Sequence, residues 1–356
     1  MTALLGPDNA GDVVLDAINA GEGPLDVCAL TMTEKYAWPL ARAHHRGRVI
    51  RVLLDRRGDP GTAAAASVLH RTGIEVGRTG RPGAACHWKF VIAGDPAVLL
   101  IGSGNLSRRD LPTHTRDAGP GPLAGTREWW LRVEGDPALV ARARSAFEEV
   151  LAMADRTGGA LQDTAALGAT LSAEATSHAV TEAWATGTPL PQVPPLVREV
   201  AAGALELDLG APAVHARVSD LIGMATRRCL VTVPYLHHGT EVAALLDLLR
   251  SAAGRGVEVR VLLGRPPDGV GEIAAGDPAL AGLTVRAMDH LRCTVGHAKG
   301  VIADDRVLAG SANWSHAGLT ANHEAALTVA DAGVAAVYAD ALERDWKTAT
   351  EIAGPR

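Results

Sequence analysis

The chain has 356 residues, 47% of them hydrophobic, 21% charged and 3% aromatic, with a formal net charge of −6. The apolar fraction excludes wholesale disorder, and the length suffices for two ordinary domains. Lys and Arg match Asp and Glu at 18 each in residues 1–155, whereas 16 face 22 in residues 156–356, so a general attraction to polyanions is excluded while a local basic cleft is not.

The N-terminal MTALLGPDNAGD carries no basic residue ahead of its first acids and no long apolar run, so no secretory signal is expected. The longest uncharged apolar runs fall well short of the ~20 residues that span a bilayer. A cytoplasmic protein is the expectation. Along the chain, residues 11–20 read as an amphipathic helix and 25–30 as an apolar strand. A helix follows around 38–45, then a Val/Leu-rich strand at 47–55. Two further strands bracket a His-x-Lys and a Gly-Ser-x-Asn segment, with a tight turn at Gly94-Asp95-Pro96, and a helix at 137–153 closes the unit. Residues 156–203 form a linker: a helix at 172–185, then a proline-rich run to residue 195 that cannot continue it. The series then repeats as a helix at 214–225, a strand at 229–233, a helix at 241–253, a strand at 256–264, a turn at Asp304-Asp305 and a helix at 332–348.

The repetition is literal. Gly47-Arg-Val-Ile-Arg-Val-Leu-Leu-Asp55 returns as Gly256-Val-Glu-Val-Arg-Val-Leu-Leu-Gly264, and Gly73-Ile-Glu-Val76 as Gly282-Leu-Thr-Val285, both offset by 209. His87-Trp-Lys89 returns as His297-Ala-Lys299, and Gly102-Ser-Gly-Asn105 as Gly310-Ser-Ala-Asn313, offset by 210 and 208. Four matches in one order at almost one offset mark an internal duplication. Strands alternating with helices predict an α/β fold of two tandem α/β/α sandwich units related by a pseudo-twofold axis. Their sheets are expected to be mixed and largely parallel. The units are placed at 1–155 and 204–356. Because both copies lie on one chain, a monomer suffices for a shared site.

Strand alternation would point His297 and Lys299 the same way, and a hairpin would return Ser311 and Asn313 beside them. An imidazole, an ammonium, a hydroxyl and a carboxamide then converge, a set suited to a phosphate. The first copy supplies His87, Lys89, Ser103 and Asn105. Downstream stand Asn322-His-Glu324 and Thr126-Arg-Glu128. This doubled pattern, His-x-Lys, then four intervening residues and Asp, then Gly-Ser-x-Asn, resembles the phospholipase D superfamily over most of both halves. The second copy matches fully, with Asp304 in place. The first has Gly94 where Asp is expected, with Asp95 one step later, as a hairpin turn lengthened by one or two residues would give.

The resemblance implies a phosphodiesterase that cleaves or transfers at a P–O bond through a covalent phosphohistidine. His87 would attack and His297 would act as general acid. Lys89, Lys299, Asn105, Asn313, Ser103 and Ser311 would hold the phosphate, and Glu128 and Glu324 would each orient a histidine. No metal and no cofactor are required. The partner is then a phosphodiester, either a phospholipid or a small molecule, with a nuclease acting on DNA or RNA as the alternative and an inactive phosphate-binding scaffold as the third reading. Net acidity and few aromatics speak against a general nuclease, and the retention of His, Lys, Asn and Glu in both copies speaks against the scaffold.

Other residues read as ordinary. Trp88 and Trp314 are expected to pack against the sheet, and Cys28, Cys86, Cys229 and Cys293 to be buried thiols. His44, His45, His237 and His238 have no partner at ligand spacing. Arg108 and Arg109 either extend the phosphate cleft or are solvated. The loop at 107–126, much longer than its counterpart, is either a substrate-facing lid or a surface insertion.

Overall fold

The computed structural model describes residues 1–20, 22–81, 83–114, 125–155, 195–201, 203–288, 293 and 295–354. The expected helix at 172–185, nearly all of the proline-rich run and positions 115–124 of the long loop lie outside them. The first half runs β1 (Thr2–Gly6), α1 (Ala10–Asn19), β2 (Leu25–Ala29), α2 (Glu34–His45), β3 (Ile50–Asp55), α3 (Pro60–Arg71), β4 (Glu75–Thr79), β5 (Phe90–Ala93), β6 (Val98–Gly102), β7 (Glu128–Val133) and α4 (Pro137–Met153). After the short β8 (Leu196–Val197) come β9 (Leu205–Leu209), α5 (Ala211–Met224), β10 (Arg228–Val233), α6 (Thr240–Gly254), β11 (Glu258–Leu263), β12 (Val285–Ala287), β13 (Gly300–Ala303), β14 (Arg306–Gly310), α7 (His316–Thr320), β15 (Ala325–Ala330), α8 (Ala332–Trp346) and β16 (Thr350–Ala353).

Helix starts are set by local chemistry. Asp136 and Asp331 cap the two closing helices, accepting from Leu139 N and Val334 N, which satisfies amides that have no partner within the helix. Asp59 does the same for Thr62 N at α3, with Pro60 at its first position, where a missing N–H costs nothing. Helix α3 was not anticipated; between β11 and β12 only the 3-10 turn Pro278–Leu280 stands in its place.

The two sheets run β4-β3-β2-β5-β6-β7-β1-β8 and β16-β12-β11-β10-β13-β14-β15-β9. They are mixed, as expected, but parallel pairing is confined to β2–β3–β4 and β10–β11–β12. The expectation of largely parallel sheets is corrected by the hairpins that carry the motifs. Ala93 pairs with Val98 and Ala303 with Arg306, and strands joined by such short turns pair only antiparallel. The first turn has four residues between paired positions and the second has two, so the turn at Gly94 is the longer one. In the second turn Asp304 accepts from Thr226 N, Thr226 Oγ1, Arg227 N and Arg228 N. Partial burial would raise its carboxyl, but the amides of Arg228, Thr226 and Arg227 outweigh this and hold it at about 2. Its work is to fix the approach to β10.

Alternation along the strands builds three cores. Trp129, Leu131 and Val133 of β7 face a central core with Leu99 and Ile101 of β6, Val307 and Ala309 of β14 and Leu327 and Val329 of β15, closed by α4 and α8. The intervening Trp130 and Leu100 face an outer core under α1, α2 and α3. Leu308 and Ala326 face the matching outer core under α5 and α6. The two halves therefore share their inner faces, and each fully buried Leu or Val there contributes roughly 1.5–3 kcal/mol. That shared core fixes the motif-bearing strand ends of one half against those of the other.

Candidate active site

Three chain segments meet at one end of each hairpin sheet. They are residues 87–89 ahead of β5, 103–105 after β6 and Glu128 at the start of β7, with 297–299, 311–313 and Glu324 as counterparts. The argument from strand alternation for His and Lys is corrected here, because both precede the ladder. Each lysine instead turns back on its own motif: Lys89 Nζ donates to His87 O at 2.8 Å and Lys299 Nζ to His297 O at 2.6 Å. Gly102 N donates to Lys89 O at 3.0 Å and Gly310 N to Lys299 O at 3.1 Å, which seats the Gly-Ser-x-Asn turn beside the lysine. A Cβ on Gly102 would collide with the Trp130 ring, and one on Gly310 with Ala326, so the close approach demands glycine.

The halves interlock through their backbones. Short parallel bridges join Cys86 to His323 and Arg127 to Gly296. His87 N donates to His323 O at 3.0 Å and His323 N to Ala85 O at 2.8 Å, while His297 N donates to Arg127 O and Arg127 N to Val295 O, both at 2.9 Å. Each bridge carries the histidine of one half onto the glutamate of the other. His87 Nδ1 lies 2.9 Å from Glu324 Oε2, and His297 Nδ1 lies 2.8 Å from Glu128 Oε1. A carboxylate at Nδ1 fixes a proton there and leaves Nε2 as the ring nitrogen directed away from it. Trp88, buried as expected, ties the same seam by donating Nε1 to the Glu324 carbonyl at 2.8 Å.

The two pairs are not electrostatically equivalent. Both glutamates are fully buried. Burial raises the Glu128 carboxyl, and the Lys299 charge with bonds from Ser103 and Thr126 only partly offsets it. Burial acts on Glu324 too, but the His87 charge and hydrogen bond, followed by Lys89 and Ser311, outweigh it and hold that carboxyl below its ordinary range. Lys89 acts on both carboxylates, so its ammonium belongs to both halves of the site. The imidazoles differ in access as well: the His87 side chain is 3% exposed and that of His297 23%.

These opposite shifts give opposite linkages to folding. Glu324, depressed in the folded state, contributes stability that is present above its unfolded pKa and lost as pH falls through the folded one. Glu128, raised, costs stability as pH climbs from its unfolded towards its folded pKa. Urea unfolding at pH 4 and pH 8 should therefore show the deficit of Glu324→Gln growing with pH and that of Glu128→Gln shrinking. Deficits that move the same way in both variants would refute this assignment.

The serines depart from expectation. Ser103 Oγ donates to Glu128 Oε2 at 2.5 Å and accepts from Trp129 N at 3.0 Å. Ser311 Oγ donates to Glu324 Oε2 and accepts from Ala325 N. Both are fully buried and their protons are committed, so they hold the glutamates rather than face a phosphate. Asn105 is braced by Asp110, whose Oδ2 accepts from its backbone N at 2.9 Å and its Nδ2 at 3.0 Å, and Thr31 N reaches Asn105 Oδ1 at 3.3 Å. Among the described residues the side-chain oxygen of Asn313 is buried without a partner. Asn322 Nδ2 donates to Glu324 Oε1 at 2.9 Å, and in the first half the Thr126 hydroxyl donates to Glu128 Oε1 at the same distance. Threonine thus replaces the amide as a donor, which the difference in residue type concealed. Arg109 is half-buried and acts on Asp110 and Glu128, whereas Arg108 is exposed.

Asp110, Glu128 and His297 bring ligand-type atoms within 4.8 Å of one another. The His297 Nδ1 and Asp110 Oδ2 atoms are already engaged with Glu128 and Asn105, an arrangement that orients an imidazole. All four cysteines are buried and unbridged, with Cys28 Sγ 3.6 Å from Cys86 Sγ. Among the described residues no helix is long and apolar enough to cross a membrane.

Residues 14–119 and 218–346 match the family described as Cardiolipin synthase, PLD-like domain. The chain belongs to this phospholipase D-like family of phosphodiesterase-type proteins. Over 98% of its length it superposes on phosphatidylserine synthase of Haemophilus influenzae Rd KW20, with a TM-score of 0.63 and 12% identity, covering 87% of that protein. It also superposes over 98% on polyphosphate kinase from Porphyromonas gingivalis, with a TM-score of 0.62 and 13% identity; it spans about half of that chain, 48%. Nuc of Salmonella typhimurium, a phospholipase D family member, aligns with 42% of this chain and 98% of its own at 19% identity and a TM-score of 0.36. No curated protein matches the sequence.

Proposed function

We propose that the chain is a phosphodiesterase that cleaves or transfers at a phosphodiester P–O bond through a phosphohistidine, acting on a phospholipid or a small phosphodiester. The observation that carries this reading is the crossed arrangement of His87 with Glu324 and His297 with Glu128. His87 Nε2 attacks phosphorus, a P–N bond forms, and the P–O bond to the leaving alcohol breaks as His297 Nε2 protonates that oxygen. His297 then takes a proton from water or an acceptor alcohol, whose oxygen displaces His87 and restores both imidazoles. The burial of His87 and the ionised Glu324 behind it suit a nucleophile, while the more open His297 suits the group that meets water. Lys89, Lys299, Asn105 and Asn313 stabilise the charge on the nonbridging oxygens.

The test is an activity panel in EDTA: bis-p-nitrophenyl phosphate, phosphatidylcholine with and without an alcohol acceptor, single- and double-stranded DNA, and RNA. Turnover of the small ester or the lipid, unchanged by the chelator, is expected. Loss of turnover in EDTA would overturn the metal-independent reading. Cleavage of nucleic acid alone would replace the substrate class.

A further inference from the structure

Each half turns the loops after its parallel strands towards the shared site, and the two sets differ in charge. In the second half the described cations Arg265 and His238 meet carboxylates. Arg265, 5% exposed, is covered by Glu272 and Asp268, and His238 Nε2 lies 3.1 Å from Asp277 Oδ2. In the first half the order is reversed: Arg57 and Arg78 both bond to Asp55, and Arg81 follows Gly80, whose backbone lies against the Asp55 carboxylate.

Asp55 is fully buried beside the catalytic segment: its Oδ2 accepts from Cys86 N, the residue before His87, at 2.6 Å. Its Oδ1 accepts from Arg57 N at 2.8 Å and Arg57 Nε at 3.0 Å. Gly264 occupies the equivalent place in the second half, where its carbonyl accepts from Gly296 N at 2.9 Å, so no charge is needed there. Arg78 Nη1 donates to the Asp55 carbonyl at 3.1 Å, and among the described residues no carboxylate pairs with this guanidinium. Burial lowers its pKa, and Asp55 offsets this only in part. Arg81 is exposed, likewise without a carboxylate partner among the described residues, and its charge acts on His323, whose backbone carries His87. A guanidinium that has given up part of its water and found only a carbonyl is prepared for an oxyanion, which its fork engages through two parallel bonds.

We infer that this shoulder of His87 is a second anion subsite, in which Arg78 and Arg81 take a further phosphate group carried by the substrate beside its scissile phosphodiester. The inference rests on the phosphodiesterase reading of the site and names the substrate class more narrowly: a phosphodiester with an additional phosphate a few bonds away. Arg265 and His238 of the second half are held by carboxylates and do not offer that contact, so the substrate is held in one orientation.

Calorimetric binding of propyl phosphate and of 1,3-propanediol bisphosphate at low salt tests this. The wild-type chain should prefer the bisphosphate by about tenfold, as two partly exposed charge pairs would give, and the preference should fade with added salt. In Arg78→Gln/Arg81→Gln the preference should drop to about twofold while propyl phosphate binding is retained; Arg81→Gln alone, at an exposed side chain, should remove about half of it on a logarithmic scale. Arg71→Gln, at the C-terminal end of α3, removes the same single charge as Arg81→Gln and should leave the ratio intact. An unchanged ratio in the double variant and in Arg81→Gln, or no preference in the wild type, would overturn the subsite. Failure of the wild type to turn over bis-p-nitrophenyl phosphate would reject the phosphodiesterase reading instead, and the binding ratio would still decide the subsite.

Discussion

His297→Ala should release one equivalent of p-nitrophenolate from bis-p-nitrophenyl phosphate and then stop, whereas His87→Ala should release none. p-Nitrophenolate leaves without a proton, so the first step survives loss of the general acid, while the second step requires His297 to activate water. Steady-state rates should fall about 10⁴-fold or more in both variants, because the two imidazoles work as one unit. The trapped adduct is a phosphoramidate on His87, lost in acid and kept in base. The seam between the halves is made of backbone bonds at residues 85, 87, 127 and 295 and does not depend on either imidazole, so both variants should keep the wild-type far-UV circular dichroism. A burst from His87→Ala with none from His297→Ala would exchange the two roles. Wild-type turnover in either would remove the shared site altogether.

The duplication and the motif residues could be read because they recur as residue types at a fixed offset, and the hairpin that presents them is local. What the sequence concealed was set by tertiary contact. The strands β1 and β9 are defined by pairing with β7 and β15. The crossing of the histidine–glutamate pairs depends on which half packs where, information carried by the central core rather than by any motif. The serines looked like phosphate donors because hydroxyls commonly are; only the buried carboxylates behind them show where their protons go. Asp55 stands within the repeat, but its bond to the Cys86 amide leaves no mark in the sequence. Arg127 was equally silent.

Arg127→Ala is expected to lower the unfolding free energy by about 3–5 kcal/mol, the usual consequence of removing one member of a buried ion pair. Its guanidinium, 7% exposed, donates Nε to Asp345 Oδ2 at 2.9 Å and Nη2 to Asp345 Oδ1 at 3.1 Å, while Nη1 reaches the Gly6 carbonyl at 3.1 Å. Asp345 is on α8, so the bond staples the first half to the second beside Glu128. Burial would lower the Arg127 pKa, but Asp345, with Cys293 and Asp8 behind it, outweighs that and raises it, so the arginine stays charged and its loss leaves a buried carboxylate alone. Asp345→Ala should cost a similar amount. Arg127→Met/Asp345→Leu, which removes both charges and keeps the volume, should regain most of the loss. Urea unfolding of the two single variants and the double variant forms a cycle in which the pair shows coupling well above the roughly 0.5 kcal/mol scatter of independent sites. Activity should fall in Arg127→Ala as well, because the backbone of Arg127 accepts from His297 N and donates to Val295 O, and a loosened seam separates His297 from Glu128. A single variant within about 1 kcal/mol of wild type would mean that the shared apolar core alone holds the halves in register.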